Sequence, residues 1–102
     1  MALIIDDGSH KPRDQAATLK NLWPLLAPGG VYVIEDVVPV DVIGEDHLPE
    51  WFRRKPQQGH FTMAAFLELA CAVSATGAPW QRHDYRHLSG KPDSVLIVLR
   101  KP

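Results

Sequence analysis

Two short apolar runs, each closed by a pair of acids, constrain this chain most. "ALII" (residues 2–5) stops at Asp6-Asp7-Gly8, and "VYVIEDVV" (31–38) carries Glu35-Asp36 near its end. Neither run alternates apolar with polar residues, the pattern of a strand buried on both faces of a parallel sheet. Between them Ala16, Leu19, Leu22, Trp23 and Leu26 recur at spacings of three and four, which places them along one helical face. Pro12 suits the first turn of that helix, where its missing N–H would be unpaired anyway. Pro24 interrupts the end of the helix, and "APGG" (27–30) stops it. Strand, helix and strand in so short a span make a βαβ unit with parallel strands and a right-handed crossover.

Residues 39–60 hold three prolines, two glycines and mixed charge, and read as a long connection. Thr62 is placed to cap a helix running to about Thr76. Met63, Phe66, Leu67, Ala70 and Val73 form its expected buried stripe, and Gly77 its stop. "PWQRHDYRH" (79–87) alternates loosely, and "SVLIVLRK" (94–101) is a strong apolar strand. "LSGKPD" joins them as a hairpin-type connection. The order is β-α-β-loop-α-β-β, an α/β fold in one domain over residues 1–102.

Composition narrows the class. With 102 residues and 45% apolar content the chain can bury one modest core. A net charge of −1 with scattered basic residues gives no footprint for nucleic acid; Arg53-Arg54-Lys55 is too short a run. Cys71 is the lone cysteine, so neither a disulfide framework nor a zinc cluster is available, and a small apolar filler is the expected role. No run approaches the ~20 apolar residues of a membrane span, and a soluble cytoplasmic protein is expected.

Ligands of parallel sheets bind beyond the carboxyl ends of the strands. If the first two strands pair, Asp6-Asp7 and Glu35-Asp36 converge there. Carboxylates so gathered repel one another, and a hard cation such as Mg²⁺ would relieve the repulsion. Solvated turns explain single acid pairs equally simply, and from the residues alone both readings stand. His10 lies at the mouth of the same crevice, and a neutral imidazole there can take a proton from a metal-bound hydroxyl. Ser9 is expected to cap the helix start. Trp23 and Trp80 are expected in the core, His83 and His87 on the surface, and Trp51, Phe52 and Arg53 either as part of a lid over a sugar or as a solvated loop.

"IIDDGSH", a helix ending in "LWPLLAPGG", and "VYVIEDV" together resemble the metal-dependent S-adenosylmethionine sugar O-methyltransferases of macrolide antibiotic biosynthesis, the mycinamicin and macrocin type. The resemblance is carried by residues 2–38 and is architectural over 61–102. It implies that Asp7, Glu35 and Asp36 are magnesium ligands, that His10 is the general base, and that Asp6 faces the cofactor or supports a ligand. It implies a methyltransferase sheet of which this chain supplies strands 4-5-7-6, a partial Rossmann-like sheet with flanking helices. It also implies Mg²⁺ and S-adenosylmethionine as cofactors and a sugar or glycoside as substrate.

The glycine-rich loop of such a cofactor site is not in the sequence, which has no G-x-G. The chain therefore reads as the C-terminal half of a methyltransferase, inactive by itself. Its first strand is expected at a sheet edge, where unpaired main-chain groups favour self-association or a partner. A second class of function is a non-catalytic assembly module built on the same scaffold. A third, a metal-dependent hydrolase, has no supporting motif.

Overall fold

The computed structural model describes residues 2–38, 60–91 and 94–102. Four strands and two main helices make up these segments: β1 (Leu3–Asp6), α1 (Pro12–Leu22), β2 (Val31–Ile34), α2 (Met63–Ala75), β3 (Trp80–Asp84) and β4 (Val95–Arg100). A single 3₁₀ turn, Trp23–Leu25, follows α1, and a helical turn, Arg86–Ser89, precedes β4. The expected connections of residues 39–59 lie outside the described residues, and with them the lid reading of Trp51, Phe52 and Arg53.

The strands form one sheet in the order β1-β2-β4-β3. β1 and β2 are parallel, with Ile4 beside Tyr32 and Asp6 beside Ile34. β4 runs antiparallel to both β2 and β3. This is the strand order that the 4-5-7-6 half-sheet would take, on a mixed, open sheet.

Local chemistry accounts for the element ends. Pro12 occupies the first turn of α1, and Pro24 converts the helix end to a 3₁₀ turn because a proline cannot donate to the α-helical ladder. The Lys101 ammonium then donates to the carbonyls of Trp23 and Leu26, at 3.0 and 2.7 Å, adding to the Leu26 N–H that Trp23 already accepts. The Thr62 hydroxyl accepts from the Ala65 N–H at the start of α2. Gly77, with φ of 67°, follows its C-terminus. Ser9 does not occupy the cap of α1. That position is Lys11, whose N–H donates to the Ser9 hydroxyl, so the serine shapes the approach to the helix two residues before the cap.

Both helices lie on one face of the sheet. Ile4, Tyr32, Ile34, Val95 and Leu99 point into a core completed by Ala16 and Leu19 of α1 and by Leu69, Ala72 and Val73 of α2. The α2 stripe is rotated from the expected one. Ala65, Leu69, Ala72 and Val73 are buried, whereas Met63 and Leu67 are each about half exposed. Nearly every position of this helix is apolar, so the sequence holds little information about which side turns inward. Cys71 falls on the outer side and is exposed, not a core filler. Trp23 packs against the core and Tyr32, but Trp80 is 50% exposed at the start of edge strand β3.

The opposite face departs from expectation too. Leu3 and Ile5 are 55% and 50% exposed, so among the described residues β1 is covered on one side only. No helix among the described residues is long and apolar enough to cross a membrane.

Candidate functional site

The strand register sets the site. The Glu35 N–H donates to the Asp6 carbonyl at 2.9 Å, so the two acidic ends are tied side by side. Beyond Asp6 the chain turns sharply, with the Gly8 N–H donating to Asp6 Oδ1 at 3.2 Å. Asp7 is exposed on this turn, and Ser9 donates to the Asp14 carboxylate at 2.8 Å. Burial raises the Asp6 carboxyl above its ordinary value, against the lowering effect of the Gly8 bond, and the charges of Asp7 and Asp14 raise it further. Its second oxygen, Oδ2, is buried with no hydrogen-bond partner. Tyr32 is fully buried nearby in the sheet, its hydroxyl also without a partner, and burial lifts its pKa to about 12, helped by the Asp6 charge.

The turn carries His10 across to the end of β2. Its Nε2 lies 3.7 Å from Asp36 Oδ2, with both side chains about two-fifths exposed. Asp36 has φ of 56°, a left-handed conformation unfavourable for a residue with a Cβ and most tolerated by Asn and Asp. That twist aims the Asp36 side chain off the strand direction. Gln15, 1% exposed on α1, holds the twist in place: its Nε2 donates to the Glu35 and Asp36 carbonyls at 3.0 and 3.3 Å. An open cleft of about 290 Å³ adjoins, lined by Glu35, Asp36, Tyr85, Ser94, Val95 and Leu96.

The structure therefore brings together His10 and Asp36, with Glu35 on the same rim. It does not gather Asp7, Glu35 and Asp36. Among the described residues no group of three or more His, Cys, Asp or Glu side chains is placed to hold a metal ion. Oxygen donors of this kind suit Mg²⁺, but their arrangement here does not. Asp6 turns its carboxylate back onto the Gly8 turn. His83 stacks at 6.4 Å on Tyr85, and His87 is exposed.

Gln15 is the residue that the sequence reading passed over. Its signal was present: Pro12, Gln15, Ala16 and Leu19 follow the spacing of a buried helical stripe. A polar residue on that stripe needs partners; the acidic loop supplies them for Gln15 Nε2, while Oε1 is buried without one.

Comparison with known proteins gives one local likeness. Over 35 residues, 34% of this chain, the sequence is 46% identical to the 8-demethyl-8-alpha-L-rhamnosyl tetracenomycin-C 2'-O-methyltransferase of Streptomyces olivaceus. The aligned stretch spans 9% of that relative, so the chain matches only a small part of its length. No family model matches the sequence. No solved structure matches it. The likeness supports, weakly, a relationship to methyltransferases.

Proposed function

We propose that this chain carries the base-bearing part of an O-methyltransferase acting on a hydroxyl of a sugar or glycoside. The observation that carries the reading is the pairing of His10 with Asp36 at the joined carboxyl ends of two parallel strands, beside an open cleft. The local likeness to a rhamnosyl O-methyltransferase supports the choice of chemistry.

In this reading a sugar hydroxyl enters the cleft and presents its proton to His10. The imidazole takes the proton as the oxygen bonds to the methyl carbon and that carbon's bond to the donor sulfur breaks, the thioether leaving, and the Asp36 carboxylate stabilises the imidazolium that results. Glu35, on the same rim, accepts hydrogen bonds from a neighbouring hydroxyl and so orients the ring. Gln15 fixes both acids through their carbonyls, which keeps the histidine's partner in register. S-adenosylmethionine would supply the methyl group. Among the described residues the arrangement of Asp7, Glu35 and Asp36 does not favour the magnesium site that the resemblance implies.

The test is methyl transfer from S-adenosylmethionine to a panel of rhamnosides, by the protein in the length in which its host makes it. His10→Ala should lower kcat by about 10²–10⁴-fold, the usual contribution of a positioned base. Asp36→Asn should lower it less. A His10→Ala protein as fast as wild type, or no transfer to any glycoside, would overturn the reading.

A further inference from the structure

We infer that the cavity between α2 and strands β3 and β4 binds a monocyclic aromatic carboxylate, with the ring among apolar side chains and the carboxylate on Arg82. The cavity measures about 180 Å³. α2 packs against α1, with Arg13 and Glu68 paired at 3.2 Å across the contact. On the side toward β3 the helix presents Ala70 and Ser74, which are too short to fill the space to the sheet. Trp80 and Arg82, two residues apart on β3, share the face turned to α2. Phe66 and Val73 of the helix and Ile97 of β4 add to the apolar wall.

Size selects the occupant. An apolar cavity of about 150 Å³ holds a benzene molecule. A volume of about 180 Å³ therefore admits one six-membered ring with one small substituent. Phe66 and Trp80 offer aromatic edges and faces, which favour a planar ring over a flexible chain. A sugar fits poorly, because its hydroxyls would lose hydrogen bonds against a wall that is nearly all apolar.

Charge selects the substituent. Arg82 reaches the Asp84 carboxylate at 3.5 Å, longer than an ordinary charge-assisted bond. Arg86 engages that carboxylate instead. Its Nε and Nη2 donate at 3.0 and 2.7 Å, and its main-chain N–H donates at 3.0 Å. Two guanidiniums thus meet one carboxylate, and the cluster carries an excess positive charge beside the cavity. The acid of α2, Glu68, is held by Arg13 and does not supply the balance. A planar guanidinium receives a carboxylate through two parallel bonds, so an anionic group on the ring completes the cluster. This cavity and the Glu35–Asp36 cleft have only Val95 in common among their lining residues. The inference does not depend on the function proposed above.

Titration of benzoate into the 102-residue chain, followed by amide and indole resonances, tests it. Saturable shifts are expected at Ala70, Val73, Arg82 and the Trp80 indole. Arg82→Gln should weaken benzoate about tenfold, the scale of one hydrogen bond to a charged group. The same variant should leave unchanged the weaker binding of benzyl alcohol. Ala70→Leu fills the space and should abolish the binding of both, with an unaltered far-ultraviolet circular dichroism spectrum. His10→Ala should bind benzoate as wild type does. Benzoate shifts that do not saturate, or that are confined to other residues, would overturn the inference. So would full affinity for benzoate in Arg82→Gln, or hexanoate bound as tightly as benzoate.

Discussion

At the scale of single residues, the site rests on two unusual choices: a buried glutamine and a left-handed aspartate. Gln15 places a polar side chain in a helical stripe that otherwise holds apolar groups, and its amide is the support for the acidic loop. Gln15→Ala leaves the Glu35 and Asp36 carbonyls without that donor, and should lower the unfolding free energy by about 1–3 kcal/mol in urea titrations. Asp36 is the reverse case. Its φ of 56° suits glycine, so Asp36→Gly should leave the melting temperature unchanged or higher while removing the partner of His10. A loss of methyl transfer without loss of stability in that variant would separate chemistry from folding at this position. The sequence singles out Asp6, Asp7, Glu35, Asp36 and His10 as candidates for one crevice. What was not visible is which of them meet. That depends on the turn at Gly8 and the twist at Asp36, each set by a few dihedral angles with no pattern of spacing to announce them.

Among the elements, legibility followed the contrast between faces. α1 has distinct apolar and polar sides, and its start at Pro12 and its break near Pro24 follow from proline chemistry. α2 has almost no polar side, so its extent was readable from Thr62 and Gly77 while its orientation was not. Strand order followed from a resemblance, and its physical basis lies in β4, whose uninterrupted apolar run can sit only in the interior of a sheet. The end of β3 is fixed by charge. Arg86 donates to the Asp84 carboxylate at 3.0 and 2.7 Å and holds it well below the usual carboxylate range, chiefly through its side-chain hydrogen bonds. A depressed folded value means stability that is present above the ordinary carboxylate pKa and is lost as pH falls through the folded one. Asp84→Asn should therefore lower the melting temperature near neutral pH, and the gap from wild type should close in strong acid. Thermal melts of both proteins from neutral to strongly acidic buffer check the sign. Thr62→Ala removes the acceptor at the start of α2 and should cost about 1 kcal/mol in the same assay.

For the whole molecule, the one-sided arrangement governs what the chain can do alone. Helices cover one face of the sheet among the described residues, and the other carries half-exposed Leu3 and Ile5. A nucleoside cofactor needs a cavity of several hundred cubic ångströms with polar groups for a ribose and a charged tail. Clefts of two kinds lie among the described residues. One of about 180 Å³ lies between α2 and strands β3 and β4, lined by Phe66, Leu69, Ala70, Val73, Trp80 and Ile97, and it is nearly all apolar. The other, of about 290 Å³, has Glu35 and Asp36 on its rim, which suits hydroxyls better than an adenine ring. The sequence has no G-x-G turn to bring main-chain N–H groups against a ligand. S-adenosylmethionine should accordingly give no measurable heat when titrated into the 102-residue chain. A glycoside with neighbouring hydroxyls should still shift the amide resonances around Glu35, Asp36 and Ser94, because the rim proposed to meet the acceptor is made by these residues. Micromolar binding of the cofactor to the chain alone would mean that the methyl donor is held by these strands after all. The division between an acceptor-binding part and a donor-binding part would then be wrong, whatever His10 does.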